Sequence, residues 1–440
     1  MWKTIANMFR IPELRDRLLF TLGLLAVYRI GSFIPTPGVD PAKLHGLLSG
    51  DSGSGLLNLM DLFTGGAMSN VTVFALGIMP NISASIILQL MTAVVPTLEK
   101  LSREGEAGRR KINQYTRYGT IIVCVIQAMM LSRQLQSWGV AMLPAPWFNL
   151  IVVITLTAGT TFIMWLGEQI TQRGIGNGIS LIITAGIVSR MPLAGRMVWN
   201  LYGYGAAEAR PFWQAALLLL MFVFVVAGVI FVIQGQRRIP VQYAKRVVSG
   251  GRMIQGQSTY IPLRVNQAGV IPIIFASSIL MIPGALGNYL PDSVGWLKEF
   301  FLSFDRSAWV GIGSYALLII FFCFFYTAIT FNPVQIADDF KKSGAFVPGV
   351  RPGKSTADFL EYTMTRITLA GAIFLAVIAV VPNIVSDQLQ VPYLVSSFLG
   401  GTGILIVVGV MLDTMQQVEA HLLMRHYDGF MKKGSIRGRY

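Results

Sequence analysis

Ten stretches of mostly apolar residues recur along this chain, at roughly 18–34, 71–94, 117–135, 148–168, 175–192, 212–234, 267–287, 309–330, 366–385 and 392–412. Each approaches the ~20 residues that a helix needs to cross the hydrocarbon of a bilayer. Helices are expected throughout, because an open sheet edge in lipid would leave backbone groups unpaired. One further apolar piece, from Gly55 to Phe63, is too short to span and lies between Gly53/Gly55 and Gly65/Gly66. Such a piece is either re-entrant or a surface helix, and its periodicity does not choose between them. Pro80 and Pro272 fall inside the second and seventh stretches, where each is expected to kink a helix.

The charges between the stretches alternate in density. Of the 35 Lys and Arg residues, only Lys43, Arg133, Arg190, Arg196, Arg210, Lys298 and Arg306 fall in one set of connections, and Arg29 lies within the first stretch. All the others fall in the opposite set, with the two termini. Positive residues accumulate on the cytoplasmic side, so ten spans with both termini cytoplasmic are expected. A missed span would invert the bias downstream of it.

Two basic connections on that side are long, at 235–266 and 331–365. The first carries Arg238-Ile239-Pro240-Val241-Gln242-Tyr243-Ala244-Lys245, then Ser249-Gly250-Gly251, then a second extended run to Val265. The pattern predicts a β-hairpin with a glycine turn.

Composition agrees with lipid as the solvent. The chain of 440 residues is 53% hydrophobic and 13% charged, with a formal net charge of +14; soluble domains carry about 25% charged residues. Cys124 and Cys323 both lie in apolar stretches and read as small hydrophobes, not as a disulfide or metal site. No small-residue cleavage site follows the first apolar run, so it is read as a retained span.

Catalytic chemistry is missing from the pattern. His45, His421 and His426 all lie outside the spans, and neither a phosphate-binding loop nor an H-E-x-x-H helix occurs. No acidic residue falls in the middle of a span. Ion-coupled carriers keep ionisable groups there, so a secondary transporter of a small solute is the weaker alternative. A membrane scaffold that only assembles partners is a third. Arg29 is read as snorkelling or paired near the external end of the first span. Asn81, Ser83, Ser85, Gln89, Gln127, Asn177, Ser180, Ser277 and Ser278 put soft polarity inside spans, either as glue between helices or as the lining of a wet path or gate. Isoleucines near Pro80 and Pro272 suit either ordinary packing or an apolar constriction that closes by dewetting.

Long ordered strings then carry a family resemblance. They are FALGIMPNISASI from Phe74, EGEAGRRKINQYTRYGT from Glu104, WLGEQITQRGIGNGIS from Trp165, GQRRIPVQYAKR from Gly235, NQAGVIPIIFASS from Asn266, KKSGAFVPGVRPG from Lys341 and GGTGILIVVGVMLD from Gly400. The chain resembles the SecY family over nearly its whole length.

The resemblance implies an all-α polytopic membrane protein. Ten transmembrane helices would form two pseudo-symmetric five-helix halves, 1–192 and 193–440, around a central pore. It implies a protein-conducting channel in the bacterial plasma (inner) membrane, not an enzyme, and no cofactor or metal. Unfolded secretory polypeptides would cross it, and membrane-protein helices would leave through a lateral gate. The pore ring maps to Ile78, Ile82, Ile179, Ile183, Ile274 and Ile406. The plug maps to Leu56, Leu57, Asn58, Leu59, Met60, Asp61, Leu62 and Phe63, and the lateral gate to Ser83, Gln127, Ser277 and Ser278. Arg237, Arg238, Lys245, Arg246, Arg252 and Arg351 would dock a motor or ribosome. Implied partners are the small membrane subunits SecE and SecG, the SecA motor ATPase, the ribosome through its RNA and proteins, signal peptides and nascent chains, and lipids. Two departures stand out: Asn81 replaces an aromatic frequent in the family, and Gly251-Arg252 stands where two adjacent arginines are frequent.

Overall fold

A computed structural model of the protein describes residues 11–40, 43, 61–203, 211–243, 246–248, 252–254, 258–289, 295–303, 309–389, 391–399 and 401–433. Helices dominate. In chain order they are α1 (Pro12–Gly31), α2 (Met79–Val94), α3 (Pro96–Arg103), α4 (Glu106–Ser137), α5 (Ala145–Arg173), α6 (Gly178–Tyr202) and α7 (Phe212–Gln234). Then follow α8 (Ile271–Tyr289), α9 (Gly295–Leu302), α10 (Trp309–Thr330), α11 (Pro333–Ser343), α12 (Lys354–Leu389), α13 (Tyr393–Leu399) and α14 (Thr402–Lys433). Among the described residues, seven helices are long and apolar enough to cross a membrane, or eight if the bent pair α2–α3 counts as one span. The axes of that pair differ by 102°.

Contacts divide the chain into two compact units. The first comprises Met1–Ala209, Tyr393–Val395 and Val410–Tyr440; the second comprises Arg210–Pro392 and Ser396–Gly409.

In the first unit, α4 and α5 bury a continuous apolar seam. Cys124, Ala128, Leu131 and Leu135 of α4 pack with Phe148, Val152 and Leu156 of α5, and Val71, Ala75 and Leu76 close over them. At one end of these helices Arg117 donates two hydrogen bonds to Glu168, at 2.8 and 2.6 Å. Leu14, Ile175 and Val418 form a smaller cluster that brings the C-terminal helix into this unit, and Gly176 N–H donates to Gln417 Oε1 at 3.0 Å.

The second stretch, 71–94, departs from expectation. Only Met79–Val94 is helical, and residues 71–78 run as turns. Their backbone bonds go elsewhere: Thr36 N–H donates to Val71 O at 3.0 Å and Val73 N–H to Ile34 O at 2.9 Å, around a Pro35–Thr72 bridge. Pro80 does not kink a helix but starts one, in the first turn of α2, where its missing N–H costs nothing. Pro272 likewise is the second residue of α8. The internal prolines of the helices are Pro192, Pro283 and Pro382. The tenth stretch is also interrupted, between α13 and α14.

In the second unit the paired strands of the expected hairpin are present, and its expected glycine turn, Ser249-Gly250-Gly251, lies outside the described residues. Strand β1 (Gln236–Tyr243) pairs antiparallel with β4 (Ser258–Arg264), from Gln236 opposite Arg264 to Gln242 opposite Ser258. Two short strands, β2 (Arg246–Val248) and β3 (Arg252–Ile254), pair beyond it. A fifth strand, β5 (Ala345–Phe346), joins β1 at Gln242 and Tyr243, so the sheet order is β4-β1-β5. The two long basic connections thus share one sheet. Pro240 sits where β1 has β4 as its one neighbour, the position at which a strand tolerates a lost N–H.

Candidate functional site

The implied site residues fall in both units. In the first, Ile78 caps the start of α2, and its carbonyl accepts from the Ile82 N–H at 3.1 Å. Ile78 and Ile82 are buried. On α6, Asn177 caps the helix by accepting from Ile179 N–H and Ser180 N–H, which fixes where the helix begins. Ile179 is half-buried and Ile183 buried. In the second unit Ile274 and Ile406 are both buried.

The polar residues of the spans divide. Asn81 is buried and its Oδ1 accepts from Thr120 Oγ1 at 3.0 Å, tying α2 to α4. Asn81 therefore holds two helices of the first unit together. Ser83 and Gln127 are half-buried, and among the described residues nothing hydrogen-bonds the buried Oε1 of Gln127. Ser277 and Ser278 are buried, and both hydroxyls donate to Ile274 O at 2.8 Å within their own helix.

Of the expected plug, Leu56, Leu57, Asn58, Leu59 and Met60 lie outside the described residues. Asp61, Leu62 and Phe63 lie inside, in a helical turn over 61–64. Leu62 and Phe63 are buried. The chain then doubles back through Gly65 and Gly66, at φ +65° and +95°, which glycine adopts without steric cost. A Cβ on Gly65 would stand 2.8 Å from the Gly186 Cα of α6, and one on Gly186 would stand 2.6 Å from Phe63 O. Only glycine permits that approach.

Polar side chains surround the same turn. Tyr28 OH donates to Thr64 O at 3.3 Å and Arg29 Nη1 to Gly65 O at 2.8 Å. Arg29 is thus paired, as read from the sequence, and its guanidinium also lies 4.7 Å from the Phe33 ring centroid. Ser69 N–H donates to Asp61 Oδ1 at 2.8 Å. Arg190 Nη2 donates to Asp61 Oδ2, and to Ser69 Oγ at 2.7 Å. In the sequence Arg190 stands only in a connection of low charge. Its pairing with Asp61, 129 positions away, leaves no local signal.

The basic positions are partly visible. Arg237, Arg238 and Arg351 are exposed, and the Arg238 guanidinium lies 4.8 Å from the Tyr260 ring centroid. Arg246 and Arg252 lie on β2 and β3. Lys245 falls outside the described residues. Beneath β1 a compact apolar core forms from Ile239, Val241, Leu263, Phe331, Ala345, Val347, Leu360 and Met364. That core makes a firm platform for the exposed arginines. No group of three or more His, Cys, Asp or Glu residues able to hold a metal occurs among the described residues.

Long apolar helices, a buried turn seated on one of them and a basic sheet define a polytopic helical membrane protein with built, non-helical elements. Comparison with known proteins gives the family. The SecY family model matches residues 72–415. The protein translocase subunit SecY of Escherichia coli K12 is 46% identical over 97% of this chain and 96% of that protein. The same subunit from Chlamydia trachomatis is 45% identical over 99% of both chains. A solved protein-conducting channel covers 92% of this chain and 91% of its own, with a TM-score of 0.60 at 17% identity, a likeness of fold. The chain belongs to the SecY family.

Proposed function

We propose that this protein is the channel subunit of a protein translocase, conducting unfolded polypeptides through a pore that it gates itself. One observation carries this reading above the rest: near-full-length identity of 45–46% to proteins named as translocase subunits. A chain without mid-span acidic groups or a catalytic constellation is consistent with a passive conduit that draws its energy from outside.

In this reading ten spans form two pseudo-symmetric halves, 1–192 and 193–440, with both termini in the cytoplasm and the plasma membrane of a bacterium as the site. The charge asymmetry of the connections supports the orientation. Ile78, Ile82, Ile179, Ile183, Ile274 and Ile406 form the apolar ring. An apolar constriction holds no stable column of water or ions, yet deforms around a passing chain. The segment around 55–65 plugs it. Ser83, Gln127, Ser277 and Ser278 line a lateral gate, and the open acceptor of Gln127 supports a role in polar contacts there. A sufficiently apolar segment leaves through that gate because transfer to lipid is favourable.

The exposed arginines of the sheet, with Arg351, dock polyanionic partners. Basic residues gain affinity for RNA by releasing counterions, which suits a ribosome, and acidic faces of a motor such as SecA suit the same surface. Small membrane subunits of the SecE and SecG type complete the assembly.

Single-channel conductance in planar bilayers tests the proposal. Wild-type protein with its small partner subunit is expected to be quiet, and a deletion of residues 57–64 to conduct. Two quiet, correctly inserted proteins would overturn the channel reading in favour of a carrier or scaffold.

A further inference from the structure

The turn after the plug is held by a polar clasp whose parts come from distant segments. Asp61 uses both carboxylate oxygens: Oδ1 accepts from the Ser69 N–H and closes the 61–69 turn on itself, and Oδ2 accepts from Arg190 Nη2 on α6. The same nitrogen of Arg190 reaches Ser69 Oγ. The Arg190 guanidinium lies over Gly66, where a Cβ would meet its Nε at 2.9 Å. The two side chains are 16% and 17% exposed, so water screens the pair only partly.

Position on the helix gives the clasp its meaning. Ile179, Ile183, Gly186 and Arg190 stand at i, i+4, i+7 and i+11 along α6, which is one helical face. That face carries two ring candidates, then the glycine that seats against Gly65, then the arginine of the clasp. We propose that Asp61, Ser69 and Arg190 form a latch that fixes the base of the plug on α6, so that plug release and displacement of Ile179 and Ile183 are coupled through one helix. The latch rests on the plug and ring assignments made above.

Its charges are unequal. Arg29 and Arg190 both converge on the Gly65–Gly66 turn, where among the described residues Asp61 supplies the carboxylate. Removing that carboxylate leaves two guanidinium groups facing one another. Asp61→Asn therefore weakens the seat more than Arg190→Gln does. Hydrogen bonds to charged groups are worth about 1.5–3 kcal/mol, so release is expected to rise about tenfold or more.

The test reads exposure of Phe63, which is buried beside the clasp. Phe63→Cys is introduced into the full-length protein, reconstituted in vesicles with its small partner subunit, and labelled with a water-soluble maleimide. The native thiols Cys124 and Cys323 are buried. Asp61→Asn should speed labelling about tenfold, Arg190→Gln less, and Ser69→Ala about threefold. The charge swap D61R/R190D should label more slowly than either neutral variant. If the swap does not insert, the D61N/R190Q pair decides: a rate no greater than that of D61N supports a shared contact, and multiplying effects overturn it. A change below twofold in D61N, or a swap as fast as the singles, also overturns the latch. Conductance of the same vesicles separates the two ideas. Faster labelling without added conductance keeps the latch and removes the plug assignment. A leaky deletion of 57–64 beside unchanged labelling in D61N removes the latch alone.

Discussion

Two regions outside the long helices of this protein satisfy their backbones in different ways. The β1–β4–β5 sheet does so by a regular ladder, seven paired positions long between β1 and β4. The 61–78 segment does so piecemeal: a bridge to 34–36, a carboxylate on a backbone amide, and donors from Tyr28 and Arg29 on carbonyls. Backbone groups buried away from water need partners within the protein. A ladder supplies partners by repetition, and the 61–78 segment combines short backbone turns with side-chain partners at Thr64, Gly65, Met68 and Ser69. The sheet is therefore built to tolerate surface substitution, and the turn is not.

The largest expected effect breaks the sheet from below. Leu360 is fully buried in the apolar core under β1. Leu360→Ala should cost about 2–5 kcal/mol locally. Amide hydrogen exchange over 236–264 should accelerate while 61–78 stays protected. Equal acceleration in both regions would show that they do not open independently.

Next is a test of the turn's dependence on glycine. Gly65→Ala places a Cβ against the backbone of Gly186 in a conformation with φ +65°, a strain of about 1–3 kcal/mol. Thermal unfolding in detergent should shift downwards, and bilayer conductance should rise. A matched Arg237→Ala at an exposed position of the sheet should leave unfolding unchanged. If the two variants behave alike, the contrast between ladder and turn fails.

The smallest effect sharpens the comparison. Asn81→Ala removes the acceptor of Thr120 Oγ1 between α2 and α4. A buried hydrogen bond contributes about 1 kcal/mol net. Thr120 Oγ1 also lies 2.7 Å from Thr116 O, so Thr120→Val should cost somewhat more than Asn81→Ala, and the pair no more than Thr120→Val alone, the non-additivity that marks a shared bond. Additive losses in thermal unfolding would show that the two side chains act separately.

How much of this was legible beforehand depends on where the information lies. The paired strands showed in the sequence because their extended runs are local, and the helices showed because apolar length is local. Residues 71–78 read as helix because they are apolar; Pro80, which reads as a kink within a span, instead marks the first turn of a helix that starts at Met79. Strand β5 is two residues long and has no pattern of its own. The cap of Asn177 on α6 was local, yet it was read as a polar span residue.

The sequence by itself determined the solvent, the helical class and the sidedness expected of the connections, because each follows from hydropathy and charge counted along the chain. Its long motifs placed it in the SecY family. Tertiary structure alone decided that Asp61 meets Arg190, that Gly65 lies against Gly186 and that two basic connections share one sheet. Those contacts join positions far apart in the chain, and short-range pattern carries no term for them.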